Sequence, residues 1–297
     1  MIQDIVTAYI QYAASIKHFS SHTITAYQTD MQLFTEWLSE NTLDFARLDH
    51  TDLHIFTAEL RDKQFAPASV NRILSCIRGF YRYAIRFGHC TANPAAAVRN
   101  IKQPQKLPRF LFPDEAEHLC AFPQEAGILW HARDEALFAS LYSTGCRISE
   151  LLGLTLQDMN KDYTAAIVYG KGSKERTVFF AGFAQKALQA YLPERQALLQ
   201  RSGKTAAALF LNWKGEGLTP GGVRYIINRY TALLPQRKKL SPHAFRHSFA
   251  SMFVTRGADM RVVQELLGHS SIATTQRYTH ITAAQLQALY HKAHPHG

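Results

Sequence analysis

The N-terminal third of the chain shows a repeated helical pattern of apolar positions. Apolar side chains recur at intervals of three and four residues over 2–13 and again over 24–38, which predicts two amphipathic helices. A third helix is expected over about 51–62. A fourth begins at Pro67, because proline suits the first turn of a helix. Residues 1–100 are therefore predicted to form a small all-helical domain.

The helical periodicity fades around Asn93–Pro94. Residues 101–112 contain prolines and basic side chains but no apolar stripe, which indicates an interdomain linker. A second domain is predicted over 113–297, and its first helix is expected near 113–115. The chain is therefore predicted to have two domains.

The second domain has a mixed pattern. Helical spacing over 134–142 and 148–154 is followed by two β-prone runs, 165–169 and 176–180, joined by a glycine- and lysine-containing turn at 170–175. These runs predict an antiparallel hairpin, and more helical patterns follow it. The expected fold class is mainly α with a small antiparallel β-sheet in the second domain.

The composition of the chain indicates a class of binding partner. The 297 residues include 33 Lys and Arg against 23 Asp and Glu, a net charge of +10, which favours polyanions such as nucleic acid. Basicity alone is weak support, because many soluble proteins are basic without binding DNA. The four cysteines are widely spaced, so neither a disulfide framework nor a zinc knuckle is indicated. With no apolar run long enough to span a bilayer and no basic start typical of a signal peptide, a cytoplasmic protein without membrane association is expected.

A basic row lies on the fourth predicted helix. Arg78, Arg82 and Arg86 are spaced four residues apart and share one face beside the apolar stripe. One hypothesis is that this row binds a DNA backbone. The alternative is an ordinary solvated helix face.

Several residues of the second domain carry chemistry that suits a phosphodiester. Ser241 and Pro242 predict a helix start that places His243 and Arg246 on one face, near the exposed amides of a helix N-terminus. A glycine turn feeds Arg147 into a helix, and Lys171 falls at the hairpin turn. Taken one at a time, each of these signals is also typical of a capped surface helix or a solvated side chain.

The last two signals surround a predicted helix end. Gly268 is expected just after a helix, His269 follows in the turn, and Tyr278 falls about two turns into the final helix. A turn histidine and a helical tyrosine are usually structural. Together with the arginines and the lysine, however, they form a set that suits a phosphodiester. The guanidiniums can bind phosphate oxygens, and the phenol oxygen can attack phosphorus. The set includes no cluster of carboxylates that would bind a metal ion.

Four segments together resemble the tyrosine recombinase family, also called phage integrases, and within it the bacterial Xer type. They are S-T-G-C-R-I-S-E-L-L-G-L at 143–154, G-K-G-S-K-E-R at 170–176, H-A-F-R-H-S-F-A at 243–250 and L-L-G-H-S-S-I-A-T-T-Q-R-Y-T-H at 266–280. The last segment is highly specific, and the order of the four matches the family. The resemblance extends more loosely over the helical first domain.

The resemblance implies roles for the matching residues. Arg147 and Arg246 are expected to bind the scissile phosphate and His269 to donate another hydrogen bond to it. Glu150 matches an acidic position that supports the site by orienting its basic groups; a surface carboxylate is the alternative.

The same resemblance assigns the reacting groups. Tyr278 is expected to be the nucleophile, Lys171 the acid that protonates the departing 5′ oxygen, and His243 the residue that assists proton transfer at the tyrosine. No metal, cofactor or ATP is expected, because the phosphotyrosyl ester conserves the energy of the broken phosphodiester.

The resemblance also implies an architecture and partners. It predicts a two-domain C-shaped clamp, with a SAM-like helical core-binding domain and a catalytic domain, around a double-stranded DNA recombination site. A homo- or hetero-tetramer with a related recombinase, passing through a four-way junction, is expected, with a DNA translocase as a possible regulator. Resolution of chromosome or plasmid dimers at cell division is the expected role. The stretch 285–295 resembles the tail that docks on a neighbouring subunit, and a self-packed helix is the alternative.

Three other functions fit parts of the sequence. His243 and His247 have metal-ligand spacing on a helix, but Ala244 stands where a zinc hydrolase motif has glutamate and no third ligand is evident. A DNA-binding module without catalysis is disfavoured by the intact reacting set. A mobile-element integrase of the same family normally carries an extra N-terminal domain for arm sites, whereas this chain starts at the core-binding helices.

Overall fold

The chain divides into two compact units, Met1–Lys106 and Leu107–Gly297. The computed structural model describes residues 2–102, 111–170, 175–234, 240–268 and 286–290. The predicted fold class is confirmed, since both units are mainly helical and a small antiparallel sheet lies in the second.

The first unit contains four α-helices among its described residues. They are α1 (Ile2–Ser15), α2 (Ser21–Glu40), α3 (His50–Asp62) and α4 (Pro67–Arg86), with short 3-10 turns at Phe45–Arg47 and Pro94–Ala96. The Ser20 side chain accepts the backbone N–H of Thr23 and so caps α2. Pro67 begins α4, as its sequence predicted. Local capping signals therefore fix where these helices start.

The core of the first unit is built on one face of α4. The predicted stripe of Val70, Ile73, Leu74, Ile77, Tyr81 and Ala84 is fully buried. It packs against Phe34 of α2 and Phe56 of α3. Tyr81 donates its hydroxyl to the Phe45 carbonyl at 2.8 Å, so its one polar group is satisfied inside the core.

The second unit contains seven longer helices and one hairpin in the ranges described. The elements are α5 (Pro113–Ala126), α6 (His131–Thr144), α7 (Ile148–Gly153), β1 (Ala165–Tyr169), β2 (Glu175–Phe179), α8 (Gly182–Ser202), α9 (Pro220–Leu233), α10 (Pro242–Thr255) and α11 (Met260–Leu267). Helix α6 is central, because every residue except His131 and Glu135 is buried. It contacts α5, α8 and α10. A helix buried on all sides is typical of the centre of a large core.

The hairpin has a fixed register. Ala165 pairs with Phe179 and Val168 with Arg176, and the ladder closes with Tyr169 opposite Glu175. The second strand therefore begins one residue earlier than its sequence predicted, because Glu175 joins the ladder. Cross-strand partners share a face, so Arg176 lies on the same side of the sheet as buried Val168.

The two ends of the predicted linker 101–112 are each attached within their own unit. Ile101 exchanges hydrogen bonds with the Asn71 side chain on α4. Leu111 is buried and donates its N–H to the Ser248 hydroxyl on α10 at 2.7 Å. Residues 103–110 lie outside the described residues.

The described part of the C-terminal stretch is the helical segment 286–290. Tyr290 is buried in the core of its own unit, where its ring packs against Phe179, Phe249 and Phe253. Its hydroxyl donates to the Ser143 carbonyl at 3.0 Å. Tyr290 therefore anchors this segment on its own unit, whereas Leu289 is exposed. The remainder of 285–295 lies outside the described residues.

No helix in the part of the chain that the structure describes is long and apolar enough to cross a membrane.

Candidate active site

A glycine turn between α6 and α7 delivers Arg147 to the site. Gly145 has a φ of +59°, in the left-handed region that favours glycine. A Cβ at this position would lie 2.6 Å from the Phe249 ring and 3.1 Å from a Leu267 methyl. The turn therefore requires glycine for its backbone angle and for the space, and it places Arg147 immediately before α7.

Glu150 lies in the first turn of α7. It is the only carboxylate among the described groups that faces Arg147, Arg176 and Arg246. It accepts the Arg147 backbone N–H at 2.9 Å and Arg147 Nη1 at 2.6 Å. Its other strong partner is Arg176 Nη2, also at 2.6 Å. Burial alone raises the pKa of Glu150, but the Arg176 charge and the hydrogen bonds from Arg147 outweigh it and hold the pKa below its ordinary value. Glu150 is thus an ionised, buried anchor for two guanidiniums.

Arg246 approaches the same place from α10. It donates Nη1 to the Gly145 carbonyl at 2.8 Å and Nη2 to the Leu267 carbonyl at 2.6 Å. Burial, followed by the nearby charges of Arg147 and Arg176, lowers the pKa of Arg246 to about 10. The guanidinium remains protonated at neutral pH, but it sits among like charges in a desolvated position.

Arg176 is a site residue that sequence reasoning missed. It is the last residue of the motif at 170–176, and its β-prone surroundings predict only a place in a strand. In the structure it donates Nη2 to Glu150 and Nη1 to the Leu266 carbonyl at 2.7 Å. A signal was present: in the hairpin register Arg176 stands opposite core-facing Val168, where a solvated arginine is not expected.

We call Arg147, Glu150, Arg176 and Arg246 the arginine cluster. Its three guanidiniums all bind the end of α11, since they donate to the carbonyls of Leu266, Leu267 and Gly268. Such carbonyls are the negative end of a helix. Gly268 ends α11 in the left-handed region, as its sequence predicted. The cluster therefore holds the turn that leads directly into residue 269.

Charge in the arginine cluster is unbalanced. Three guanidiniums face the single carboxylate Glu150, so the described residues of the cluster carry a net surplus of two positive charges. The side chain of Arg147 is 38% exposed, whereas that of Arg176 is 12% exposed. An anion approaching from solvent would meet Arg147 first. Desolvated guanidiniums bind phosphate oxygens strongly, and a phosphate is the ligand that this arrangement suits.

His243 and Arg246 share α10 but differ in environment. The predicted helix start is confirmed, with Ser241 at the cap position and Pro242 in the first turn, although the Ser241 side chain makes no capping hydrogen bond. Arg246 points into the core and is buried, whereas His243, in the first turn of the helix, is exposed.

The metal alternative lacks a ligand set in the described ranges. His247 is exposed like His243, and no three His, Cys, Asp or Glu side chains within those ranges gather to hold a metal ion.

Three predicted site residues, Lys171, His269 and Tyr278, lie outside the described residues. Lys171 falls in the connection between Tyr169 and Glu175, the last pair of the hairpin. His269 follows Gly268 directly. The described structure thus brings together Arg147, Glu150 and Arg246 of the predicted set and adds Arg176.

The basic row on α4 divides into two kinds of arginine. Arg78 donates to the carbonyls of Ala95 and Val98 and to the Asn100 side chain, so it holds the segment that follows α4. Arg82 and Arg86 are exposed, and Arg86 Nη1 donates one hydrogen bond to the Tyr12 hydroxyl at 3.1 Å. Together with Lys17, they line a cleft of about 470 Å³ between α1 and α4 whose walls include tyrosine rings.

Comparisons with known proteins agree on a family. Residues 109–285 match the Phage integrase family, and residues 6–88 match the N-terminal SAM-like domain of phage integrases. The chain is 54% identical to the tyrosine recombinase XerC of Treponema denticola, over 99% of this chain and 100% of that protein. It is 37% identical to XerC of Listeria innocua, over 97% and 96% of the two chains.

Solved structures show the same fold at lower identity. The XerH site-specific recombinase bound to palindromic difH substrate, in a post-cleavage complex, matches with a TM-score of 0.70 and 24% identity over 89% of this chain and 78% of that one. The Tn1549 transposon integrase in complex with transposon right end DNA matches with a TM-score of 0.72 and 20% identity, over 96% and 97%.

Proposed function

Because this chain belongs to the phage integrase family and is a site-specific tyrosine recombinase, we propose that it cuts and rejoins DNA strands at double-stranded recombination sites through a 3′-phosphotyrosyl intermediate. The observation that carries the proposal is the charge surplus of the arginine cluster, beside the turn that leads into His269.

The scissile phosphate binds to Arg147 and Arg246 in this proposal. Both guanidiniums stabilise the extra negative charge that develops on the phosphoryl oxygens when phosphorus becomes pentacoordinate. His269 donates one more hydrogen bond, and Glu150 holds Arg147 in place. The geometry of the described residues supports this assignment, because the cations are fixed by protein oxygens before any ligand arrives.

The covalent step uses Tyr278 as nucleophile. A phenol has an ordinary pKa near 10, so it is mostly neutral at pH 7; nearby cations favour phenolate, and His243 assists removal of the proton. The phenolate oxygen forms a bond to phosphorus, the bond from phosphorus to the 5′ oxygen breaks, and Lys171 protonates the departing oxygen. A 5′-hydroxyl of another strand reverses these steps, so exchange needs neither ATP nor a cofactor.

The cellular role proposed is resolution of chromosome or plasmid dimers at cell division. Support comes from the names of the XerC relatives, which match 99% and 97% of this chain. The enzyme acts on duplex DNA as a homo- or hetero-tetramer with a related recombinase, and exposed Arg82 and Arg86 contact the DNA backbone. Movement of a mobile element is the second role to test within the same family.

Trapping of the covalent adduct tests the chemistry. Duplexes retained by the protein from a random-sequence library are resynthesised with a nick at each successive position; we call these the selected duplexes. Wild type should form a protease-sensitive protein–DNA adduct that EDTA does not prevent. Tyr278→Phe should form none, whereas Tyr225→Phe, which alters an exposed tyrosine on α9, should match wild type. An adduct with Tyr278→Phe would overturn the mechanism.

A further inference from the structure

The side chain of Arg176 links three elements of the second unit. It starts from β2, binds Glu150 Oε2 on α7 through Nη2 at 2.6 Å, and binds the Leu266 carbonyl on α11 through Nη1 at 2.7 Å. The side chain is 12% exposed. Both terminal nitrogens are therefore directed at protein oxygens rather than at solvent.

The packing around Arg176 leaves it little freedom. A Cβ on Gly268 would lie 2.8 Å from both Arg176 Cδ and Nε, so the arginine stem lies directly on the turn that ends α11. Its Nε is buried and has no acceptor among the described residues. An unsatisfied buried N–H is unfavourable, and it persists here because the two Nη bonds and the contact with Gly268 define the position of the guanidinium.

We propose that Arg176 is a positioning residue: through Glu150 it sets the guanidinium of Arg147, and through Leu266 it sets the turn of α11 that leads into His269. The inference rests on the proposed function, since it assigns Arg176 a part in aligning the groups that hold the phosphate. Arg176 acts through these groups and does not itself touch the DNA.

The fork of a guanidinium is needed for this task. Its two Nη groups reach acceptors on two different elements at once, whereas a lysine ammonium is a point charge at the end of a flexible stem. Without Arg176, Arg147 would be the one described guanidinium still hydrogen-bonded to Glu150. Arg147 would then be drawn toward the carboxylate and would have less charge available for a phosphate.

The test compares Arg176→Gln, Arg176→Lys and the charge-matched control Lys186→Gln, which removes an exposed cation on α8. Binding of the selected duplexes and single-turnover adduct formation are measured across pH, with urea denaturation to report the folded fraction. Arg176→Gln should keep wild-type affinity and lose about 10–100-fold in rate, the range typical of metal sites when a group that orients a metal ligand is removed. Lys186→Gln should match wild type.

The pH profile separates positioning from a merely structural role. Removing the Arg176 charge raises the pKa of Glu150, so the acid limb of the rate profile should move to higher pH in Arg176→Gln. Arg176→Lys keeps the charge but not the fork; its acid limb should stay in place while its rate falls. A rate that falls only in proportion to the folded fraction, with an unmoved acid limb in Arg176→Gln, would overturn the inference.

The remaining outcomes are also decisive. If Arg176→Gln does not fold, Arg176→Lys decides alone, and a wild-type rate in that variant overturns the inference. An adduct with wild type but no effect of either substitution overturns the positioning role and leaves the proposed function intact. If wild type forms no adduct, the proposed function itself is contradicted.

Discussion

Two buried arginine–carboxylate sites in the second unit differ in their balance of charge. In the first, Arg133 binds Asp134 Oδ1 through Nε and Nη2 at 2.8 and 2.7 Å, and its Nη1 donates to the Leu211 carbonyl. Tyr230 donates to the other carboxylate oxygen at 3.0 Å. One cation meets one anion, and both side chains are buried, so we call this site the balanced pair.

The arginine cluster has the same residue types but a surplus of cations. Three guanidiniums share Glu150, and the side chain of Arg147 remains 38% exposed. Burial, followed by the neighbouring cations, lowers the pKa of Arg246 to about 10. The difference teaches that burial and ion pairing alone do not mark a functional site. A functional site is indicated by a surplus of charge of one sign that remains accessible to solvent, because a ligand of the opposite charge can then bind there.

Breaking the balanced pair should have the largest effect on stability. Asp134→Asn leaves Arg133 buried and unpaired, which should lower the free energy of unfolding by about 3–5 kcal/mol. Urea denaturation followed by circular dichroism measures it. Glu216→Gln, which removes an exposed partner of Lys204, is the control and should leave the midpoint unchanged. A loss from Asp134→Asn no larger than the control would show that the pair is not structural.

Arg147→Gln should give the opposite result, a large loss of rate with little loss of stability. Removing one fixed donor to the transition state costs about 10²–10³ in rate. The free energy of unfolding should change by less than about 1 kcal/mol, because Arg147 is partly exposed and its removal relieves repulsion among the guanidiniums. Single-turnover adduct formation and urea denaturation test both parts. A variant that unfolds but cleaves at the wild-type rate when folded would contradict the comparison.

Stability should depend on pH through Glu150. Its pKa is lower in the folded chain than its ordinary value of 4.5, so its ionised form stabilises the fold. That contribution is complete above pH 4.5 and is lost as pH falls through the folded pKa. The stability difference between wild type and Glu150→Gln should be constant near neutral pH and shrink below about 4.5, as urea titrations can show. A difference that grows on acidification would contradict the assignment.

In the first unit, the comparison of an exposed arginine with one held by protein oxygens predicts the smallest effect, a change in the salt dependence of DNA affinity. Arg82→Gln removes an exposed cation, so a plot of log affinity for the selected duplexes against log salt should lose about 0.9 in slope for one phosphate contact. Arg78→Gln is the matched control on the same helix. Its slope should not change, because Arg78 already donates to protein oxygens. Equal slope losses would mean that Arg78 also binds DNA.

Local patterns predicted much of the fold. The stripe on α4, the proline at its start, the glycine that ends α11 and the hairpin all depend on residues close in sequence, where spacing determines the outcome. Arg176 was missed because its partners Glu150 and Leu266 lie 26 and 90 residues away. The spacing on α4 places Arg78 in the same basic row as Arg82 and Arg86, but no periodic pattern shows that carbonyls beyond the end of α4 receive its guanidinium.

The most direct test of the charge surplus removes charge from the ligand instead of the protein. Adduct formation by wild type and by Arg147→Gln is compared on a selected duplex with a normal scissile phosphate and on one with a neutral methylphosphonate at that position. If the cluster compensates phosphate charge, the variant should be slower by about 10²–10³ on the normal duplex. Most of that deficit should disappear on the methylphosphonate. The same deficit on both duplexes would contradict the account.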